Sequence, residues 1–205
     1  MRPPLTDGLY RAIRSPTSVG WMRFYATGEM LLAGTPPAPA ARIACWLRAG
    51  AAEYIAQGRW TLDGDTVRGE LTVRYQNPGQ LVTTVSTHEI AFDDEGRALT
   101  DRWVTTSNDR RVGRIEGASS YVFVPVPPRF LEGDVAPRDV RVASSLAGLV
   151  KEGFDPAQVA RAKACRKVPL AKLNSLEADE LVAAGLEADF VAAFIRWRLG
   201  EATGG

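Results

Sequence analysis

Residues 53–75 read EYIAQGRWTLDGDTVRGELTVRY. Two runs of strand-favouring residues, Glu53 to Leu62 and Thr66 to Tyr75, flank Asp63-Gly64-Asp65. Asp-Gly between such runs is a strong hairpin signal, because glycine takes the positive φ that a tight turn needs. This hairpin sets the reading of the first half of the chain as antiparallel β, and the flanking sequence agrees on both sides.

Upstream, Asp7-Gly8 opens Leu9-Tyr10-Arg11-Ala12-Ile13, which alternates like a half-buried strand. Trp21-Met22-Arg23-Phe24-Tyr25 and Met30-Leu31-Leu32 form a second hairpin around Ala26-Thr27-Gly28-Glu29. With Met22, Phe24, Met30 and Leu32 inward, Arg23 and Tyr25 face out. The Pro-rich stretch Thr35-Pro36-Pro37-Ala38-Pro39 breaks the pattern. Ala40 to Gly50 then reads as one short helix, with Ile43, Trp46 and Leu47 on one side and Gly50 as its stop.

Downstream, Asn77-Pro78-Gly79 turns the chain and Leu81 to Phe92 alternates. Asp93-Asp94-Glu95-Gly96 is the next turn, and Leu99 to Thr106 the next strand. Runs at Val112 to Ile115 and Tyr121 to Val124 come after Asn108-Asp109. About eight to nine short strands in up-and-down order predict a meander. Closing it into a barrel removes its edges, with a sandwich as the alternative.

Prolines 125, 127, 128 and 137 punctuate the next stretch, and the composition then turns helical. Helices are expected over Val140 to Glu152, Ala157 to Lys167, Leu176 to Ala184 and Ala188 to Leu199. Asp155-Pro156 and Ser175 serve as start signals, and Gly153, Gly185 and Gly200 as stops. Leu149-Val150, Gly153, Val159-Ala160 and Arg166 recur 32 residues later as Leu181-Val182, Gly185, Val191-Ala192 and Arg198. Two helical hairpins, each too small to bury its own apolar face, would pack on each other. The expected class is therefore α+β. An antiparallel up-and-down β-barrel with one inserted helix spans 1–128, a Pro-rich linker 129–139, and a small all-α domain 140–205.

Composition narrows the function classes. Lys+Arg is 25 against 24 Asp+Glu, so the basic excess of a nucleic-acid binder is missing. All basic residues before position 129 are Arg, and the four Lys all lie after residue 150. With the abundant Ala, that is the signature of a GC-rich bacterial genome. Two cysteines, Cys45 and Cys165, fall in different parts of the chain, so a disulfide framework is not expected and a reducing cytoplasm fits. No signal-peptide pattern comes after Met1, and no apolar run reaches the ~18 residues of a spanning helix.

The stretch from Asp7 to Val124 resembles lipocalin-like (calycin) barrels, and most closely the barrel behind the F-box in some ubiquitin-ligase adaptors. Asp7-Gly8-Leu9-Tyr10-Arg11, Met22-Arg23-Phe24-Tyr25 with Gly28, and Gly58-Arg59-Trp60 leading into Leu62-Asp63-Gly64-Asp65 carry the resemblance. Gly58-Arg59-Trp60 also fits the Gly-x-Trp signature of lipocalins, placed mid-domain here rather than on the first strand. The resemblance implies a cup-shaped barrel that carries an apolar ligand or presents a surface to a protein. Leu181 to Arg198 is similar to helix-hairpin-helix modules. The turn Gly185-Leu186-Glu187 lacks the second glycine and puts an acid where a phosphate would approach, which disfavours DNA.

Candidate chemistry is sparse. His88, the single histidine, sits next to Glu89, and adjacent strand residues point to opposite faces, so the two form no dyad. Asp93-Asp94-Glu95 and Asp63-x-Asp65 lack calcium-loop spacing, and Arg110-Arg111 with Arg114 is offset by Asp109 and Glu116. No catalytic, metal or cofactor motif is visible. If the barrel is hollow, Trp60, Trp103, Tyr121 and Phe123 are its ligand-lining residues, since apolar sites are built from aromatics with few polar groups. The expected role is a non-enzymatic protein-interaction or assembly module docking on a protein partner. The alternative is a carrier of a small apolar ligand in the barrel.

Overall fold

Eight strands succeed one another around a closed antiparallel barrel: β1 (Gly8–Ser15), β2 (Ser18–Phe24), β3 (Glu29–Thr35), β4 (Ala56–Asp63), β5 (Thr66–Asn77), β6 (Gln80–Phe92), β7 (Ala98–Ser107) and β8 (Arg114–Pro125). The computed structural model describes residues 4–48, 54–77, 80–109 and 113–201. The expected turn residues Gly50, Pro78 and Gly79, and Arg110-Arg111, lie outside them. Pairing of Gly8 to Arg11 with Pro125 to Val122 closes the ring, so the architecture is a barrel and not a sandwich. The hairpin read from Asp63-Gly64-Asp65 is in place, with Asp63 opposite Thr66 and Gly64 at φ +59.

The two runs at Val112 to Ile115 and Tyr121 to Val124 do not form separate strands. Their described residues belong to one strand, β8. The middle of β8, Gly117-Ala118-Ser119-Ser120, carries no apolar signal. Its outward side chains are solvated, and a Cβ on Gly117 would come within 2.7 Å of the Trp103 ring.

Strand β2 is buried on both faces from Val19 onward, which accounts for its unbroken apolar run. Inward, Met22 and Phe24 join Tyr10, Met30, Val67, Leu71, Ile90 and Leu99. Outward, Val19 and Trp21 meet helix α1 (Ala40–Trp46) and helix α2 (Pro128–Glu132) in a second core that includes Leu31, Ile43, Leu47, Phe130 and Val140. Phe130, in the stretch read as a linker, is 1% exposed. Arg23 does point away from the barrel interior, as its alternation requires. It is nevertheless only 4% exposed, because both helices cover it.

The barrel floor is an aromatic layer. Tyr10 meets Phe24, Phe92 and Phe123 at 5.5, 5.6 and 5.2 Å, all edge-on. The Tyr10 hydroxyl donates to the carbonyl of Gly96 at 2.6 Å and accepts from the Leu5 N–H. Burial pushes this phenol up to about 12. The unfolded chain ionises Tyr10 near its ordinary value of 10.0 while the folded chain holds the proton. The Tyr10 contribution is therefore complete below pH 10 and is lost as pH rises through about 12. The unfolding free energy read from urea titrations should fall over that window by about 2–3 kcal/mol in the wild type, and the fall should be much shallower in Tyr10→Phe.

The helical part departs from expectation at two starts. Val140 to Glu152 is not one helix. A turn of 3-10 helix at Pro137–Asp139 comes first, and α3 runs Leu146–Lys151. The Ser145 hydroxyl accepts from Gly148 N–H at 2.9 Å and fixes the start there, a local bond that competes with an earlier helix. Ser175 does not cap a helix over Leu176 to Ala184. It ends α5 (Leu170–Ser175), and α6 (Ala178–Ala183) starts behind Glu177, whose N–H donates to the Glu180 carboxylate. Asp155 does cap α4 (Pro156–Ala164), accepting from Ala157 N–H at 2.8 Å.

The repeat of the sequence is also a repeat of structure. Helix α6 begins 32 residues after α3, and α7 (Ala188–Arg198) 32 after α4. The Phe154 N–H donates to the Leu149 carbonyl as the Leu186 N–H does to that of Leu181. Leu149, Phe154, Val159, Leu181, Leu186 and Val191 share one core. Polar contacts fasten this part to the barrel side. Arg11 pairs with Glu180, and Glu177 accepts from both Ala40 N–H and the buried guanidinium of Arg198.

Candidate functional site

The inner face of β6 carries Val82, Thr84, Ser86, His88 and Ile90, at the two-residue period of a strand. Apolar residues hold the ends of that series, and polar ones interrupt it. On β7 the inner positions are Leu99, Asp101, Trp103 and Thr105. Register places His88 opposite Trp103 and Ile90 opposite Asp101, so Asp101 sits diagonally across from His88.

Both carboxylate oxygens of Asp101 lie 3.0 Å from His88 Nδ1, and Ser86 Oγ lies 2.8 Å from Nε2. All three side chains are buried, Asp101 at 0% exposure and His88 at 3%. A carboxylate only accepts, so Nδ1 carries a proton toward Asp101, and in the neutral ring Nε2 accepts from the Ser86 hydroxyl. The result is a directed chain, Ser86 to His88 to Asp101, inside a barrel whose other deep residues are apolar.

The chain opens onto a cavity of about 150 Å³ above the aromatic floor. That volume would hold about five waters. Tyr121, Trp103 and Leu32 form its walls, and Arg14 stands at its mouth. Arg14 Nη2 donates to the Tyr121 hydroxyl at 3.3 Å. Among the described residues no carboxylate pairs with this guanidinium. Its position depends on Gly20, where a Cβ would lie 2.8 Å from Arg14 Nε. Burial pushes the Tyr121 phenol up, against the opposing pull of the Arg14 bond. Negative charge therefore sits deep in the cavity, at Asp101, and positive charge at its mouth.

Of the residues expected to line a hollow barrel, Trp103 and Tyr121 meet on this cavity. Trp60 and Phe123 instead belong to the floor, Trp60 against Phe24 at 6.0 Å and Phe123 against Tyr10. Sequence reasoning missed Ser86, Asp101 and Arg14. The available signal was Ser86-x-His88 within a strand, which sets both on one face, shared with the apolar Val82 and Ile90. Asp101 and Arg14 come from strands β7 and β1, and only the register shows that they converge. Among the described residues, no three His, Cys, Asp or Glu side chains gather as metal ligands would. Cys45 is buried beside Arg48, and burial pushes its thiol up and away from reactivity.

The outer wall of β4 to β8 has another character. Arg68 reaches Glu89 at 3.9 Å, Glu89 faces Arg102 in register, and Arg59 faces Glu70. Alternating charges of this kind make a solvated surface. Among the described residues, no helix is long and apolar enough to cross a membrane.

No protein-family model and no curated protein matches the chain. Among solved structures, similar chains include apo shwanavidin in two crystal forms, each at 10% identity, and a low-affinity mutant of shwanavidin at 13%. They cover 58–60% of this chain and 99–100% of their own length, with TM-scores of 0.33–0.34. Similarity at that level carries no argument about ligand or role.

Proposed function

We propose that the barrel is a small-molecule-binding module whose ligand enters past Arg14 and rests against Trp103 and Ser86. The observation behind this reading is the buried Ser86–His88–Asp101 chain facing a cavity. A buried carboxylate and imidazole in an apolar interior cost stability unless every partner is satisfied, and here the cluster faces a cavity. Trp103 and Leu32 supply apolar contact, while Ser86 and Arg14 supply direction. The ligand is therefore small and of mixed polarity, rather than purely apolar.

Native mass spectrometry of the full chain, purified gently from its own source, tests the reading. The expected result is an added small-molecule mass that is released on denaturation. A bare chain from source, together with no binding of cavity-sized fragments, would refute it.

Docking on a protein partner is the second reading, and one feature favours it. Ile13 and Val122, 65% and 58% exposed, lie on the outside of β1 and β8 in the cleft between the barrel and helices α6 and α7. On the outer wall around Arg59, Arg68, Glu70, Glu89 and Arg102 the exposed side chains are instead charged. The helical hairpins, with acidic residues at both glycine turns, belong with a protein-facing role more than a nucleic-acid one.

A further inference from the structure

We propose that Ser86 is a nucleophile, and that the cavity is an acyl-transfer centre for esters with a short acyl group. This goes beyond ligand binding and stands or falls separately from it. Three observations on the inner wall carry it.

The first is the order of the hydrogen bonds. Ser86 Oγ is 2.8 Å from His88 Nε2, and His88 Nδ1 is 3.0 Å from both Asp101 oxygens. A general base must lie within about 2.6–3.2 Å of the atom that bears the proton it takes, and a third group must hold its tautomer. Both conditions are met. Only buried groups take part, so the geometry is held by the sheet and not by a mobile loop.

Access is the second. Ser86 lines the cavity together with His88 and Asp101, and the mouth lies at Arg14. A volume of about 150 Å³ admits an acyl group of a few carbons and excludes a long chain.

The third is the charge distribution. Attack by a serine generates positive charge on imidazole and negative charge on the former carbonyl oxygen. Asp101 stands beside the first, and Arg14 with the Tyr121 hydroxyl stands on the cavity where the second would form. Ser86 lies in mid-sheet, opposite Leu71 of β5 on one side and Thr105 of β7 on the other, so the backbone around it belongs to the ladders rather than to a turn with free N–H groups. Side-chain donors must therefore replace the backbone pair that other serine centres use. The site's polarity thus complements the transition state better than it complements a resting anion.

The step balances without a further reagent. Ser86 Oγ bonds to the ester carbonyl carbon as its proton passes to His88 Nε2, and the carbonyl electron pair moves to oxygen. Collapse of that intermediate breaks the bond to the alkoxide, which takes the proton from Nε2. Water, activated through the same relay, then cleaves the acyl-Ser86 bond, releasing the acid and restoring the hydroxyl.

The test uses the full chain, the small ester p-nitrophenyl acetate and the small sulfonylating reagent phenylmethanesulfonyl fluoride. Peptide mapping should place the sulfonyl adduct on Ser86. Ser86→Ala, a near-isosteric change that leaves Nε2 facing the cavity, should stay folded with a modestly lower thermal melt and lose the adduct. It should also lower ester turnover by about 100-fold or more, toward the rate of free imidazole. Ser86→Cys should regain acetyl transfer to position 86, which a purely structural serine would not do. An adduct confined to other residues, or equal turnover in wild type and Ser86→Ala, overturns the proposal and leaves the binding reading intact.

Discussion

Asp101→Ala should destabilise the folded chain by about 3 kcal/mol, read as a fall in the urea midpoint. The cause is the partner left behind more than the bond removed. His88 is 3% exposed and its Nδ1–H has Asp101 as its acceptor. Without that acceptor a buried donor is stranded beside the core residues Ile90, Leu99 and Tyr121. Asp101→Asn retains a carbonyl oxygen as acceptor and should cost only about 1 kcal/mol. It should still abolish ester turnover, because the amide does not stabilise an imidazolium. A stable Asp101→Ala protein would mean that the chain is not buried as described.

Arg23→Ala should cost about 3 kcal/mol or more, because it strands buried carbonyls at about 1–3 kcal/mol each. The guanidinium donates to the carbonyls of Ala44, Leu47 and Leu131 at 3.3, 2.9 and 2.9 Å, and it lies 4.4 Å from the centre of the Tyr25 ring. Those carbonyls belong to the C-terminal ends of α1 and α2, where backbone acceptors lack helical partners. One side chain on β2 thus ties two helices to the barrel wall. Burial pulls the Arg23 pKa down, which shows how far desolvation works against its charge. Alanine leaves the carbonyls orphaned, and lysine keeps the charge but cannot fork to both helices. The expected signature is a lower melting temperature, with proteolysis first appearing around α1 while the β6–β7 sheet is retained. An unchanged melt in Arg23→Ala would contradict the role of this residue as a fastener.

The contrast between Arg23 and His88 shows what was legible in the sequence. Strand alternation correctly placed Arg23 on the outer face of β2, but alternation cannot say what lies against that face. Only the return of α2, more than 100 residues later, makes the outer face an interior. Turn chemistry was the most legible part. Asp63-Gly64-Asp65, Asp93 to Gly96 and Asp155-Pro156 act locally, and the structure has a turn or cap at each. The 32-residue repeat was equally legible, because Leu149 and Leu181 pack in the same way. Helix starts at Leu146 and Ala178 were not. Each is decided by which of several nearby polar residues wins the free N–H groups, and the margins are small. The site was the least legible. Its residues come from β1, β6, β7 and β8, each ordinary alone, and only barrel closure brings Arg14 and Tyr121 to the cavity that Ser86 and Asp101 share.

His88 is the chain's single histidine, so ¹⁵N spectra of histidine-labelled protein contain one imidazole and need no assignment. The expected spectrum has a protonated Nδ1 whose hydrogen exchanges slowly, and an Nε2 with the shift of a hydrogen-bond acceptor. Both nitrogens should move on addition of phenol or indole as cavity-sized probes. An imidazole with averaged nitrogens, fast exchange with water and no response to either probe would contradict the claim that a buried Ser86–His88–Asp101 chain faces an accessible cavity.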